Sequence, residues 1–173
     1  MATRNSAKPL TGTRIVSLAL NLPGPAALMR LSAMGARCLK VEPPGPGTTS
    51  AGRPISGDPM GQYDIGAYSV MHEDLRVVQM DLKTERGQAQ LARELLRADL
   101  LLTSFRPSAL AKLGLDWKAL RRPFPHLSMV EIVGAPGERA DEPGHDLTYL
   151  AEAGLVTGTD LPPSLLADMA GAL

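Results

Sequence analysis

The sequence is short of several things, and each shortage excludes something. Among its 173 residues it has one cysteine, Cys38, so no intramolecular disulfide can form and a reducing compartment fits. Cys38 falls inside a predicted strand and reads as a buried, inert thiol rather than a nucleophile. Aromatic residues make up only 3%, which argues against stacking on nucleic-acid bases. Lys plus Arg (18) cancels Asp plus Glu (18), so the surface has no net charge to attract nucleic acid or an anionic membrane. No apolar run is long enough to span a bilayer. Met1 to Lys8 carries charge, but Thr11-Gly12-Thr13-Arg14 interrupts any apolar continuation. A secretory signal is therefore not expected, and a cytoplasmic location is. The turn Leu20-Asn21-Leu22-Pro23-Gly24-Pro25 has neither Gly-x-Gly-x-x-Gly nor a Gly-Lys-Ser/Thr phosphate loop. That absence argues against a nucleotide-dependent dehydrogenase or an NTPase. Internal repeats and low-complexity tracts are missing, and the spacing of the three histidines suits no metal site.

What is present alternates between strand and helix patterns. Arg14 to Leu20 reads as a strand. Pro23-Gly24-Pro25 then opens a helix whose Ala27, Leu28, Leu31 and Met34 recur at helical spacing, with Gly35 to end it. Cys38 to Glu42 is a second strand, and a short strand–helix–strand unit favours parallel pairing. Pro43 to Gly66, with five prolines and six glycines, reads as a long surface loop. Arg76 to Leu82 is a third strand, and Thr84 is a cap for a helix over Glu85 to Arg97. Leu100 to Thr103 has the apolar run of a buried parallel strand. Ser108 and Asp116 are placed as caps of two short helices, and Leu127 to Val133 is a fifth strand. Gly134 to Pro143 reads as a polar loop, Asp146 as the cap of a helix over Leu147 to Ala153, and Pro162-Pro163 as the start of a last helix. The predicted fold is α/β: a Rossmann-like, doubly wound, mostly parallel sheet.

Gly144-His145-Asp146 carries the chemistry, with a second carboxylate at Asp168. Imidazole and carboxyl groups can both move protons near neutral pH, so proton transfer or acyl transfer is conceivable here. Read alone, Asp146 is a plain N-cap, His145 an ordinary loop histidine and Asp168 a solvated helix residue. Pro23-Gly24-Pro25 is either a tight turn or a ligand-facing helix start. His72 and His126 match no motif and read as surface residues.

A series of segments gives a further lead. Leu10 to Val16, Pro23-Gly24-Pro25, Gly35-Ala36, Lys40 to Pro44, Met80 to Lys83, Ala98-Asp99, Phe105-Arg106-Pro107, Leu113 to Leu115, Gly144-His145-Asp146 and Ala167-Asp168 follow one another in order. The series resembles the class III CoA transferase family (CaiB/BaiF type), which includes alpha-methylacyl-CoA racemase. The resemblance implies a Rossmann-like large domain that binds CoA thioesters, in interlocked homodimers. It implies no tightly bound cofactor, coenzyme A being part of the substrate. In the transferases, the aspartate matching Asp146 is the nucleophile. The racemases read Gly-His-Asp, as this chain does. There the residues matching His145 and Asp168 exchange a proton at the α-carbon through an enolate, and directed N–H groups, such as those opening the helix after Asp146, must stabilise it. Candidate contacts with the CoA moiety are Lys40, Arg76, Asp81, Arg106, Gly144 and Tyr149, with Arg37 as a further basic residue. The family usually has a basic segment where this chain reads Met71-His72-Glu73-Asp74-Leu75-Arg76, and commonly glycine where it has Ser108. Family members are also about twice as long. Residues 1–173 are therefore expected to form one large-domain portion, truncated after the start of a final helix. Three readings remain: racemase-like proton transfer, CoA transfer through Asp146, and an inactive CoA-binding or interaction remnant.

Overall fold

The computed structural model describes residues 8–173, so the reading of Met1 to Lys8 lies almost wholly outside it. Five strands form one sheet: β1 (Arg14–Ser17), β2 (Arg37–Glu42), β3 (Arg76–Gln79), β4 (Leu100–Thr103) and β5 (Ser128–Glu131). All pair in parallel, in the order β3-β2-β1-β4-β5. The chain runs outward from β1 to β3, then returns to lay β4 against the other side of β1. The expected doubly wound α/β sheet is thus present. Its strands are shorter than the apolar runs predicted, although the ladder continues past their ends. Leu18 N–H donates to Leu102 O (2.8 Å), Met80 N–H to Glu42 O (2.8 Å) and Ile132 N–H to Thr103 O (2.8 Å).

Alternation along β1 divides the core between two layers. Ile15 faces one side with Ala19, Leu28, Ala36 and Leu102, where α1 (Pro23–Ala33) packs. Val16 faces the other side with Leu39, Val41, Leu91, Leu95, Leu101 and Leu110. That side is covered by α4 (Glu85–Leu95), α5 (Pro107–Leu113) and α6 (Trp117–Leu120). Both faces of the central strands are buried, which is why their sequences run apolar rather than alternating.

Several local signals work as expected. Pro23 starts α1, and Gly35 follows it at φ 103°, in the left-handed region that favours glycine. Thr84 Oγ1 accepts from Gly87 N–H (3.1 Å) and Asp116 Oδ1 from Ala119 N–H (2.7 Å), capping α4 and α6. Ser108 does not cap α5. Arg106 takes the N-cap position, Pro107 follows it, and the Ser108 amide donates to Asp141 Oδ1 (3.0 Å). The last helix, α8 (Leu166–Ala170), begins after Pro162-Pro163 rather than on it.

The segment after β2 differs most from expectation. It is not loop throughout: α2 (Met60–Tyr63) and α3 (Ile65–His72) occupy its far end and beyond. Asp64 caps α3, accepting from Ala67 N–H (2.9 Å). The predicted polar loop before α7 (Asp146–Glu152) contains a 3-10 turn over Gly137–Asp141. No helix among the described residues is long and apolar enough to cross a membrane.

Candidate active site

Strand order reverses between β1 and β4, and a crevice of about 790 Å³ opens beyond their carboxyl ends. This is where doubly wound sheets hold ligands, because the chains leaving two neighbouring strands diverge to opposite faces. Leu20, Asn21 and Pro23 line it after β1, Ser104 to Arg106 after β4, and Ile132 to Gly134 after β5. Gly144, His145 and Tyr149 form a further wall, and Ala167 and Asp168 from α8 face the same space. Pro23-Gly24-Pro25 is the first turn of α1, with Gly24 buried against Ala19 and Pro23 lining the crevice.

His145 occupies the N-cap position of α7, one residue earlier than the predicted cap. Its amide donates to Thr148 Oγ1 (3.3 Å), while its carbonyl accepts from the Thr148 and Tyr149 amides (2.8 and 3.3 Å). Those two helix amides are consequently not free to serve as directed donors. Asp146 is the first helical residue and is only 5% exposed. It does not line the crevice; its Oδ1 accepts from Asp168 N–H (3.0 Å) and so ties α8 to α7. Burial raises the Asp168 carboxyl above its ordinary range, and the Asp146 charge raises it further, while His145 acts in the opposite direction.

Tyr149 lies across the two glycines that flank this wall. A Cβ on Gly144 would stand 2.6 Å from Tyr149 Oη, and one on Gly134 would also collide with the ring. Gly144→Ala should displace the tyrosine and destabilise the fold by about 1 kcal/mol, the low end for overpacking because the tip of the ring can yield. Urea unfolding checks this, with the same substitution nearly neutral in a Tyr149→Ala background.

Arg106 is exposed on the crevice, so the structure brings together Arg106, Gly144, His145, Tyr149 and Asp168. It does not bring Arg76, Lys40 or Asp81 to them. Arg76 and Arg37 open their strands and therefore lie at the sheet's amino edge, opposite the crevice, where they line another hollow with Arg14 and Cys38. Burial pushes the Cys38 thiol up to about 11, as suits an inert group. Asp81 Oδ1 accepts from Lys83 N–H (3.0 Å) and builds the turn into α4.

Lys40 is 0% exposed and cannot present its charge at the surface. Its ammonium pairs with Asp58 Oδ2, with Glu42 Oε1 (3.1 Å) and with His72 Nε2 (2.8 Å). His72 Nδ1 stands 2.6 Å from the Tyr68 carbonyl, which can only accept, so Nδ1 carries the ring proton and Nε2 accepts from Lys40. The ammonium's three hydrogens thereby meet three acceptors. Tyr68 Oη and Ser56 Oγ each donate to Glu42 at 2.7 Å, completing the carboxylate. The reading of His72 as a surface residue is thus corrected: it is 7% exposed and stacks on Tyr68 at 4.0 Å. His126 is exposed, as read. Glu42, Asp58 and His72 place ligand-type atoms within 4.8 Å of one another, a set that could hold a metal ion, but Lys40 already supplies the cation there.

The model of the family described as CoA-transferase family III matches residues 10–169. The chain belongs to that family. Among its relatives, the probable fatty acyl-CoA transferase Rv3272 of Mycobacterium tuberculosis is 36% identical over 165 residues, covering 94% of this chain and 41% of that protein. Human alpha-methylacyl-CoA racemase is 33% identical over 171 residues, covering 94% and 40%. A crystal structure of Rv3272 matches with a TM-score of 0.80 at 32% identity, over 96% of this chain and 47% of that one. The chain therefore spans well under half the length of these class III relatives. Sequence reasoning had singled out neither Asn21 nor Ser104 as site residues. Their positions just past the carboxyl ends of the two strands flanking the reversal were the available signal.

Proposed function

We propose that this chain carries the two bases of a racemase-type proton transfer at the α-carbon of a CoA thioester. The supporting observation is the division of labour among three side chains. His145 and Asp168 face one crevice, whereas the Asp146 carboxylate is buried and engaged by the Asp168 amide. In this reading neutral His145 removes the α-hydrogen as a proton, and the electron pair left behind moves onto the thioester oxygen as an enolate. Protonated Asp168 then gives its proton to the opposite face of that carbon, and the carbonyl re-forms. Burial and the Asp146 charge raise the Asp168 carboxyl, so its protonated form persists to higher pH, as a donor requires. Arg106, exposed on the same crevice, is assigned to the phosphates of CoA.

Relatives named as CoA transferases support a second reading, with Asp146 as the nucleophile and a covalent aspartyl thioester as the intermediate. The deciding experiment combines α-deuterium uptake from D2O into a 2-methylacyl-CoA with hydroxylamine trapping of the protein. Uptake without modification supports proton transfer. Hydroxamate at Asp146 would replace it with the transferase reading. A homodimer, implied by the resemblance, and a cytoplasmic location, expected from the N-terminal sequence, belong to either version.

A further inference from the structure

The buried charged cluster reaches the crevice through one residue. Asp58 Oδ2 pairs with Lys40, while its other oxygen, Oδ1, accepts from Asn21 N–H and Met60 N–H, each at 3.0 Å. Asn21 lines the crevice and has φ 61°, the one positive φ on a non-glycine residue among the described residues. Such a conformation persists only where surroundings hold it. On one side the neighbouring Leu20 amide is held by Ser104 Oγ (3.1 Å). On the other, Asp58 holds Asn21 itself. Asp58 belongs to the glycine- and proline-rich segment after β2, which has little apolar side chain with which to anchor itself. Lys40, fixed in turn by Glu42 and His72, holds the Asp58 carboxylate, while Ser56 Oγ, bonded to Glu42, accepts from the Asp58 amide.

We infer that Asp58 is a positioning residue of the crevice: one carboxylate oxygen is locked by Lys40 so that the other can hold the Asn21 backbone in its left-handed conformation on the ligand-facing rim. Its effect on ligand rests on the CoA reading above, while its effect on the rim does not. Two measurements separate them: amide hydrogen exchange by NMR and CoA affinity by calorimetry, on the wild type, Asp58→Ala, Asp58→Ser and Asp58→Asn. In Asp58→Ala and Asp58→Ser, exchange at Asn21 should accelerate about tenfold and CoA should bind about tenfold more weakly, the scale of one lost hydrogen bond to a charged group. The Val16 amide in β1 should keep its protection. Asp58→Asn has one acceptor oxygen where the carboxylate has two; with that oxygen drawn to the Lys40 ammonium its NH2 faces the Asn21 and Met60 amides, so Asn21 exchange should stay faster than in wild type. Unchanged exchange at Asn21 in the alanine variant would overturn the inference, as would faster exchange with CoA affinity intact. Equal acceleration at Val16 in both truncations would make Asp58 a general determinant of the fold and overturn it too. If wild-type protein binds no CoA, the CoA reading falls, and the exchange results alone decide whether Asp58 positions the rim.

Discussion

His145→Ala is expected to lower α-hydrogen exchange by about 10²–10⁴-fold, the range a positioned general base contributes, for the 2-methylacyl-CoA enantiomer whose α-hydrogen would face the imidazole. CoA affinity should change far less, because the proposed role of the imidazole is at the reacting carbon rather than at the nucleotide end of the ligand. Asp168→Asn gives the sharper result. Asparagine keeps the shape and cannot exchange a proton, so the enantiomer whose α-hydrogen faces His145 should still take up deuterium. The opposite enantiomer should not, and interconversion should stop for both. His145→Ala should show the reverse preference. Deuterium uptake into each enantiomer separately, followed by mass spectrometry, reads all four combinations. Equal loss for both enantiomers in each variant would sink the two-base assignment, since a single shared base has no facial preference to lose.

How much of this was legible before the structure depends on what each residue contacts. The strands could be read because their partners are apolar and their runs short: Val16, Leu39 and Leu101 meet in one core whatever the detail of the loops. The helix α3 could not. Ile65 and Val70 are 67% and 68% exposed, and its buried residue is His72, so its apolar pattern points away from the protein and hides the helix. Arg76 was placed with the ligand because basic residues near strand ends were counted without regard to strand direction. In a parallel sheet the first and last residues of a strand lie at opposite edges, so an arginine that opens β3 lies at the edge away from the crevice. Lys40 illustrates a different limit. A lysine in the middle of a strand reads as exposed charge, and its main partner lies across the glycine- and proline-rich segment, at Asp58. Nothing local in the sequence announces that pair. The wall formed by His145, Tyr149 and Asp168 is legible through family resemblance, and the geometry adds that Asp146, next to His145 in sequence, is buried and accepts from the Asp168 amide.

Lys40→Met should be strongly destabilising. Methionine fills similar volume, but it leaves Asp58 and Glu42, 0% and 1% exposed, without their shared cation. Removing one partner from a buried ion pair costs about 3–5 kcal/mol, a large share of the total for a domain of this size. The pH dependence tests the cause. Burial, then the Lys40 ammonium, lower His72 below its ordinary 6.5. The folded state thus favours neutral His72, and this contribution is present above pH 6.5 and lost as pH falls through that value towards the folded pKa. Glu42 behaves similarly at lower pH. Its burial works against ionisation, but the Ser56 and Tyr68 hydrogen bonds and Lys40 outweigh it, so its net shift is downward. Wild-type stability should consequently decline on acidification. The variant has the opposite tendency, because two unpaired buried carboxylates are relieved when one takes up a proton. Urea unfolding between pH 8 and pH 5 should therefore show a wide gap between the two proteins at pH 8 that narrows towards pH 5. A gap that stays constant would mean that Lys40 contributes through packing of its alkyl chain, and the electrostatic account of the cluster would fail.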